Sequence, residues 1–273
     1  MRVLRHRLQM DGNAVPFAQS PNVGGVLEPK YLVIHFTAGS SAQGSINWLR
    51  NRAARASAHL VIARNGEVTQ LVPFNRVAWH AGASEWEGLR GMNRHSIGIE
   101  LDNGGRLERK GNRWCSWFSA VYPEEEVMLA SHRHETEACG WHVYTSEQLE
   151  MTMEVCQVII GKYGLHGIAG HDEIAPGRKS DPGPAFPMAN FRARLFGRAE
   201  DDFPVFRTRT ALNIRTGAGI EYERLPDSPL QPDTRVEVLE EGDVWRFVNV
   251  LNMDPHHGEI QGWVHGKYLE RVE

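Results

Sequence analysis

Apolar and polar positions follow one another along the chain in patterns that assign several of its elements. The run KYLVIHF (Lys30 to Phe36) is β-branched and aromatic and stops at Thr37-Ala38-Gly39, which predicts a buried strand with His35 at its end. In SAQGSINWLRNRAA, Ile46, Leu49 and Ala53 recur at helical spacing, so a helix is expected to pack back on that strand. AHLVIARNGEVTQLVP reads as two β-rich runs joined at Asn65-Gly66, a dipeptide that supplies the positive φ angles of a tight turn. In HSIGIELDN (His95 to Asn103), Ile97, Ile99 and Leu101 alternate with Gly98 and Glu100, so a strand here turns Glu100 away from the apolar row. TSEQLEMTMEVCQVIIGKYG offers an N-cap at Thr145 or Ser146, apolar residues at Leu149, Met153, Cys156, Ile159 and Ile160, and a terminating glycine. It predicts a helix.

The remaining stretches set the domain organisation. Residues 1–29 read as an irregular lead-in, and 104–140 as a long polar surface insertion with a short helix near PEEEVMLASHRHE. Near LFGRAEDDFP (Leu195 to Pro204) the pattern changes from mixed helix and strand to short strands divided by Gly, Asp and Pro. The expected boundaries are therefore a lead-in 1–29, a mixed α/β domain 30–197, a linker 198–204 and a small all-β barrel 205–273.

Composition narrows the function without naming it. A chain of 273 residues has room for two domains. With 23% charged residues and a net charge of -4, bulk electrostatics favour neither nucleic acid nor an acidic membrane as partner. No run of about 18 apolar residues exists, so membrane insertion is not expected. Three cysteines without C-x-x-C spacing argue for reduced thiols rather than a disulfide framework. The amino terminus has basic residues but no apolar segment behind them, so a cytoplasmic location is the default expectation. Action at a cell wall would then need phage lysis or a specialised secretion route.

Candidate chemistry gathers in GHDEIAPGRKSDPGP (Gly170 to Pro184). A hydrolytic zinc needs three protein ligands and one open position, and His nitrogen with carboxylate oxygen suits it. His171 and Asp181 stand ten residues apart across a Pro-Gly-rich loop, a spacing that can fold both side chains to one point. His35, at the end of an apolar strand, is a third candidate, although such a histidine alone is more often structural.

Five motifs in order, VIHFTAG, SAHLVIARNGEVTQLVP, AWHAG, NRHSIGIELDN and GHDEIAPGRKSDPGPAF, resemble those of the zinc-dependent N-acetylmuramoyl-L-alanine amidases of the type 2 family, whose fold is shared with peptidoglycan recognition proteins and phage amidases. The resemblance covers about Lys30 to Phe196. It implies a mixed β-sheet flanked by helices, and Zn²⁺ bound by His35, His171 and Asp181. It also implies Glu100 as base and proton shuttle, and Lys179 as partner of the tetrahedral oxyanion. Ala58 stands where the phage branch has a tyrosine, leaving proton transfer to Glu100. The implied substrate is peptidoglycan or its muropeptides, cut between N-acetylmuramic acid and L-alanine. A rival with the same fold is a recognition protein that binds peptidoglycan without cutting it.

Other residues divide between substrate contact and packing. His80 and Trp79 are expected to line the sugar and peptide cleft, Asn93 and Arg64 to hold the peptide stem, and His59 to shape the cleft or pack behind it. Asp172 and Glu173 read as loop acids, His132 and His134 as exposed loop histidines, and His256-His257 as a turn. LNIRTGAG and QGWVHGKYL resemble the opening and closing motifs of bacterial Src-homology-3-type barrels. In such a barrel Trp245, Trp263 and Tyr268 are either core or part of a wall-binding face.

Overall fold

The computed structural model describes residues 1–197, 204–242, 244–251 and 260–272. Residues 198–203 of the expected linker, and His256-His257, lie outside the described residues. The chain divides into two compact units. The first comprises Met1–Gly105, Tyr144–Gly183 and Met188–Gly197, and the second Arg106–Val143, Pro184–Pro187 and Arg198–Glu273.

The first unit is built on a five-stranded mixed sheet. Its strands are β1 (Tyr31–Phe36), β2 (Leu60–Ile62), β3 (Val68–Gln70), β4 (Ser96–Leu101) and β5 (Gly167–Gly170), in the spatial order β5-β1-β4-β2-β3. β5, β4 and β2 run parallel to their neighbours, and β3 returns antiparallel through the expected Asn65-Gly66 turn, with Gly66 at φ 81°. Strand alternation puts Leu32, Ile34, Ile97, Ile99, Leu60 and Ile62 on one face, all with no more than trace exposure.

Helices cover the sheet. α1 (Ala42–Leu49) starts where the Ser41 side chain accepts the Gly44 N–H, and it buries Ile46 and Leu49. α2 (Ser146–Tyr163) is capped by Thr145 and ends at Gly164 in the left-handed conformation, buries Met153, Val155, Cys156 and Ile159, and is the helix that its 3.6-residue spacing predicts. The short α3 (His171–Ile174) continues directly from β5, and α4 (Met188–Phe196) follows. No helix among the described residues is long and apolar enough to cross a membrane.

Two stretches differ from expectation. The lead-in is not irregular: Arg2–Leu4, Arg7–Met10 and Asn13–Ala14 form a three-stranded antiparallel sheet that belongs to the first unit. Strands of two to four residues are too short to show a period in the sequence. The polar insertion is also a sheet, of five antiparallel strands: Arg106–Lys110, Arg113–Cys115, Val121–Tyr122, Val127–Ser131 and Ala138–His142. The expected helix shrinks to one 3₁₀ turn at Glu124–Glu126. This sheet falls in the second unit, so the division departs from the 30–197 and 205–273 boundaries at 1–29, 106–143 and 184–187. His132 is buried beside Trp141 rather than exposed.

The tail forms a second five-stranded antiparallel sheet, ordered Gln261–His265, Trp245–Val250, Arg235–Glu241, Val205–Thr208 and Leu269–Arg271. Its core gathers Ile214, Val236, Val238, Val248 and Val264, with Met128 of the insertion sheet packed against it. Trp245 and Trp263 are half-buried and Tyr268 is exposed, so none of the three is full core.

Candidate active site

Parallel pairing of β4 with β1 sets Glu100 directly opposite His35. Because side chains alternate, both residues leave the sheet on the same face, at the carboxyl ends of their strands. β5 pairs on the other side of β1, with Gly170 opposite Ile34, and delivers His171 one residue beyond its end. The loop after α3 then brings Asp181 back: its backbone oxygen accepts the Asp172 N–H at 2.8 Å.

Three ligand atoms converge there. His35 Nδ1, His171 Nδ1 and Asp181 Oδ2 stand 2.9 Å from one another in all three pairs, and all three residues are buried. Protons alone do not account for this triangle. If both Nδ1 atoms carry hydrogens to the carboxylate, those hydrogens oppose each other across the histidine pair; if only one does, another contact lacks a proton. A cation at the centre satisfies all three contacts, and ligand atoms around a small tetrahedral ion sit about 3 Å apart. The residues therefore fit a zinc ion.

Electrostatics at the site are those of a desolvated cluster. Burial and the neighbouring His171 lower the His35 imidazole to about 4, against the pull of Asp181. Burial would raise the Asp181 carboxyl, but hydrogen bonds from His171 and His35 and their charges hold it well below the usual carboxylate range. Glu100 goes the other way: burial and the Asp181 charge push it well above its ordinary value, partly offset by Lys179. Its Oε2 is sealed from solvent and has no hydrogen-bond partner among the described residues. Lys179 is exposed on the loop after α3, with its charge in reach of both Glu100 and His35.

Of the acids beside the ligands, Glu173 is an anchor and Asp172 is buried, which corrects their reading as loop acids. Glu173 accepts the Gly170 N–H at 2.6 Å and pairs with Arg192 at 2.5 Å, while Arg192 also donates to the Ile168 carbonyl. Together these contacts tie the start of α3, and so His171, to the end of β5 and to α4. Arg178, which the sequence did not single out, donates to the carbonyls of Ala81 and Ala83, each at 2.7 Å. Its position next to Lys179 was the one available signal.

Residues expected to touch substrate divide sharply. Trp79 is 37% exposed and stays available as a surface platform. His59 is fully buried, its ring accepting the Gly98 N–H and donating to the Arg76 carbonyl. His80 is buried against His35, and the Asn93 side-chain oxygen accepts the backbone N–H groups of His80 and Ala81. His59 and His80 are thus packed inside the unit, and half-buried Asn93 has its side-chain oxygen engaged there. Arg64 lies in the turn of the β2–β3 hairpin, and its charge acts on Asp102 and Tyr144, favouring their ionised forms against burial.

A family model described as N-acetylmuramoyl-L-alanine amidase matches residues 25–184, more than half of the chain, and takes in every residue of the triad along with Glu100 and Lys179. The chain belongs to the N-acetylmuramoyl-L-alanine amidase family. It is similar to the 1,6-anhydro-N-acetylmuramyl-L-alanine amidase AmpD of Enterobacter cloacae, with 37% identity over 141 residues, covering 51% of this chain and 57% of that relative. It is also similar to the N-acetylmuramoyl-L-alanine amidase AmiD of Escherichia coli (strain K12), with 31% identity over 181 residues, covering 63% of this chain and 55% of the relative. The chain thus spans little more than half the length of the curated amidases it matches. Among solved structures, a complex of AmiD from E. coli with anhydro-N-acetylmuramic acid-L-Ala-D-gamma-Glu-L-Lys is similar at 26% identity and a TM-score of 0.48, covering 74% of this chain and 68% of that amidase.

Proposed function

We propose that the chain is a zinc amidase that hydrolyses the bond between N-acetylmuramic acid and L-alanine in peptidoglycan or its muropeptides. The observation that carries this reading is the triangle of His35, His171 and Asp181 ligand atoms, with Glu100 opposite His35 in the sheet and its buried Oε2 without a hydrogen-bond partner among the described residues. Zinc held by these three residues supplies a Lewis acid for the scissile carbonyl and a water of lowered pKa.

The chain's own groups do the rest. Glu100 takes a proton from the attacking water as the new C–O bond forms, and passes it to the alanine nitrogen as the C–N bond breaks. A desolvated carboxylate of raised pKa is suited to both halves of that transfer. The Lys179 ammonium stabilises the negative charge that develops on the carbonyl oxygen. Trp79 offers an apolar face against which a sugar ring can stack. The tail sheet, read as a Src-homology-3-like domain, would hold polymeric wall near the site and raise local substrate concentration.

The test is direct. Purified protein incubated with muropeptides and with intact sacculi should carry about one zinc per chain and release free stem peptides beginning with L-alanine, identified by mass spectrometry. Cleavage within the peptide or the glycan overturns the specificity. Binding of muropeptides without turnover in the zinc-loaded protein supports the recognition reading instead.

A further inference from the structure

Both ligand histidines present Nδ1 to the triad, so both must keep their proton on Nε2. For His35, the neighbour of Nε2 is His80 Nδ1, at 3.0 Å. Between two imidazole nitrogens the direction of donation is open until something else fixes it. Here the far side of His80 fixes it: His80 Nε2 faces the Ser96 carbonyl oxygen at 3.3 Å, an atom that only accepts. The Ser96 hydroxyl is occupied in donating to the Met92 carbonyl at 2.7 Å. The His80 proton therefore sits on Nε2, its Nδ1 is an acceptor, and His35 donates through Nε2. His35 Nδ1 is left bare.

His171 is held in the same way from the next residue along. Its Nε2 lies 3.2 Å from the Ala81 carbonyl oxygen, again an obligate acceptor. Arg178 Nη2 comes within 3.4 Å of the same nitrogen, but makes shorter bonds of 2.7 Å to the Ala81 and Ala83 carbonyls. The His80-Ala81 segment thus anchors the outer nitrogens of both ligands. That segment is pinned by one side chain: Asn93 Oδ1 accepts the N–H of His80 at 2.9 Å and of Ala81 at 2.7 Å. Beneath it, Gly98 leaves room for the His80 ring, since a Cβ there would come within 2.4 Å of the ring.

We propose that His80 and Asn93 are positioning residues that hold both ligand histidines in the tautomer with Nδ1 free for metal. The proposal rests on the zinc reading of the triad but is separable from it. A second-layer partner of this kind typically changes metal affinity by about 10–100-fold.

The experiment measures zinc affinity of the full chain by competition with a chromophoric chelator, and the visible absorption of the cobalt-substituted protein. His80→Phe keeps a flat ring over Gly98 but offers His35 no acceptor; it should weaken zinc binding by roughly 10–100-fold and alter the cobalt spectrum. His80→Gln can accept from His35 through its amide oxygen and should stay within a few-fold of wild type. Asn93→Ala should weaken binding and Asn93→Asp, which keeps the paired acceptor, should restore it. Equal affinity of wild type, His80→Phe and Asn93→Ala overturns the proposal and leaves the zinc reading intact, whereas a wild type that binds no zinc removes that reading itself. Loss in His80→Gln equal to that in His80→Phe also overturns the proposal, because the acceptor would then be irrelevant. Should either apolar variant fail to fold, the other carries the comparison.

Discussion

The two units of this chain solve different problems with strands. In the first, parallel strands all finish at the same edge, so residues remote in sequence arrive side by side: His35 and Glu100 are opposite each other in register, and His171 follows one strand over. In the second, antiparallel strands are mostly joined to near neighbours in sequence, as in Arg106–Lys110 with Arg113–Cys115. Among its described residues the arginine–carboxylate pairs Arg106–Glu135, Arg207–Glu270 and Arg207–Asp233 lie towards the surface, where such pairs contribute little. A parallel sheet end gathers buried, mutually perturbing groups, and that is the more useful architecture for chemistry.

The sharpest way to break this comparison is to remove a ligand. His171→Ala should abolish zinc binding, read by elemental analysis, and reduce amide hydrolysis by at least roughly 10³-fold. Glu100→Gln should lower turnover by about 10²–10⁴-fold with zinc still bound.

The same Glu100→Gln substitution sharpens the comparison through stability. Because the folded-state pKa of Glu100 is raised, the native protein holds that proton to higher pH than the unfolded chain, and stability falls as pH climbs past the ordinary carboxylate range. Removing the charge should therefore stabilise the metal-free protein at neutral pH by about 0.5–2 kcal/mol, with the gain fading as pH drops towards 4. Thermal melts of both proteins across that range check the sign; equal melts at neutral pH would mean that Glu100 is not desolvated.

The second unit should respond differently. Ile214 is completely buried in the tail core, so Ile214→Ala should cost about 2–5 kcal/mol in denaturant unfolding. Zinc content should not change, since all three proposed ligands belong to the first unit. In the first unit, Gly98→Ala should cost about 1–3 kcal/mol by driving a methyl group into the His80 ring.

Much of the first unit was legible in the sequence because its strands are long, apolar and periodic. The run Lys30 to Phe36 became Tyr31–Phe36, and His95 to Asn103 became Ser96–Leu101 with Glu100 turned from the isoleucines as alternation requires. α2 announced both its ends through Thr145 and Gly164. The insertion sheet was not legible, because Arg106–Lys110 buries only Leu107 and shows no alternation. Nor were the structural tasks of Glu173 and Arg178, which depend on partners 19 and 95 to 97 residues away. The positions of His80 and Asn93 stood out from their motifs, but their partners did not: a motif marks that a residue matters, and only packing shows what it faces.

The separation between the ligands has a kinetic side. His35 is 136 residues from His171 and 146 from Asp181, so the triangle cannot close until the longest-range pairing in the first unit, β5 onto β1, is in place. Metal uptake during refolding should then report the last and slowest stage of assembly rather than the first. On the proposed zinc reading, a nascent chain takes up metal only after β5 has paired with β1.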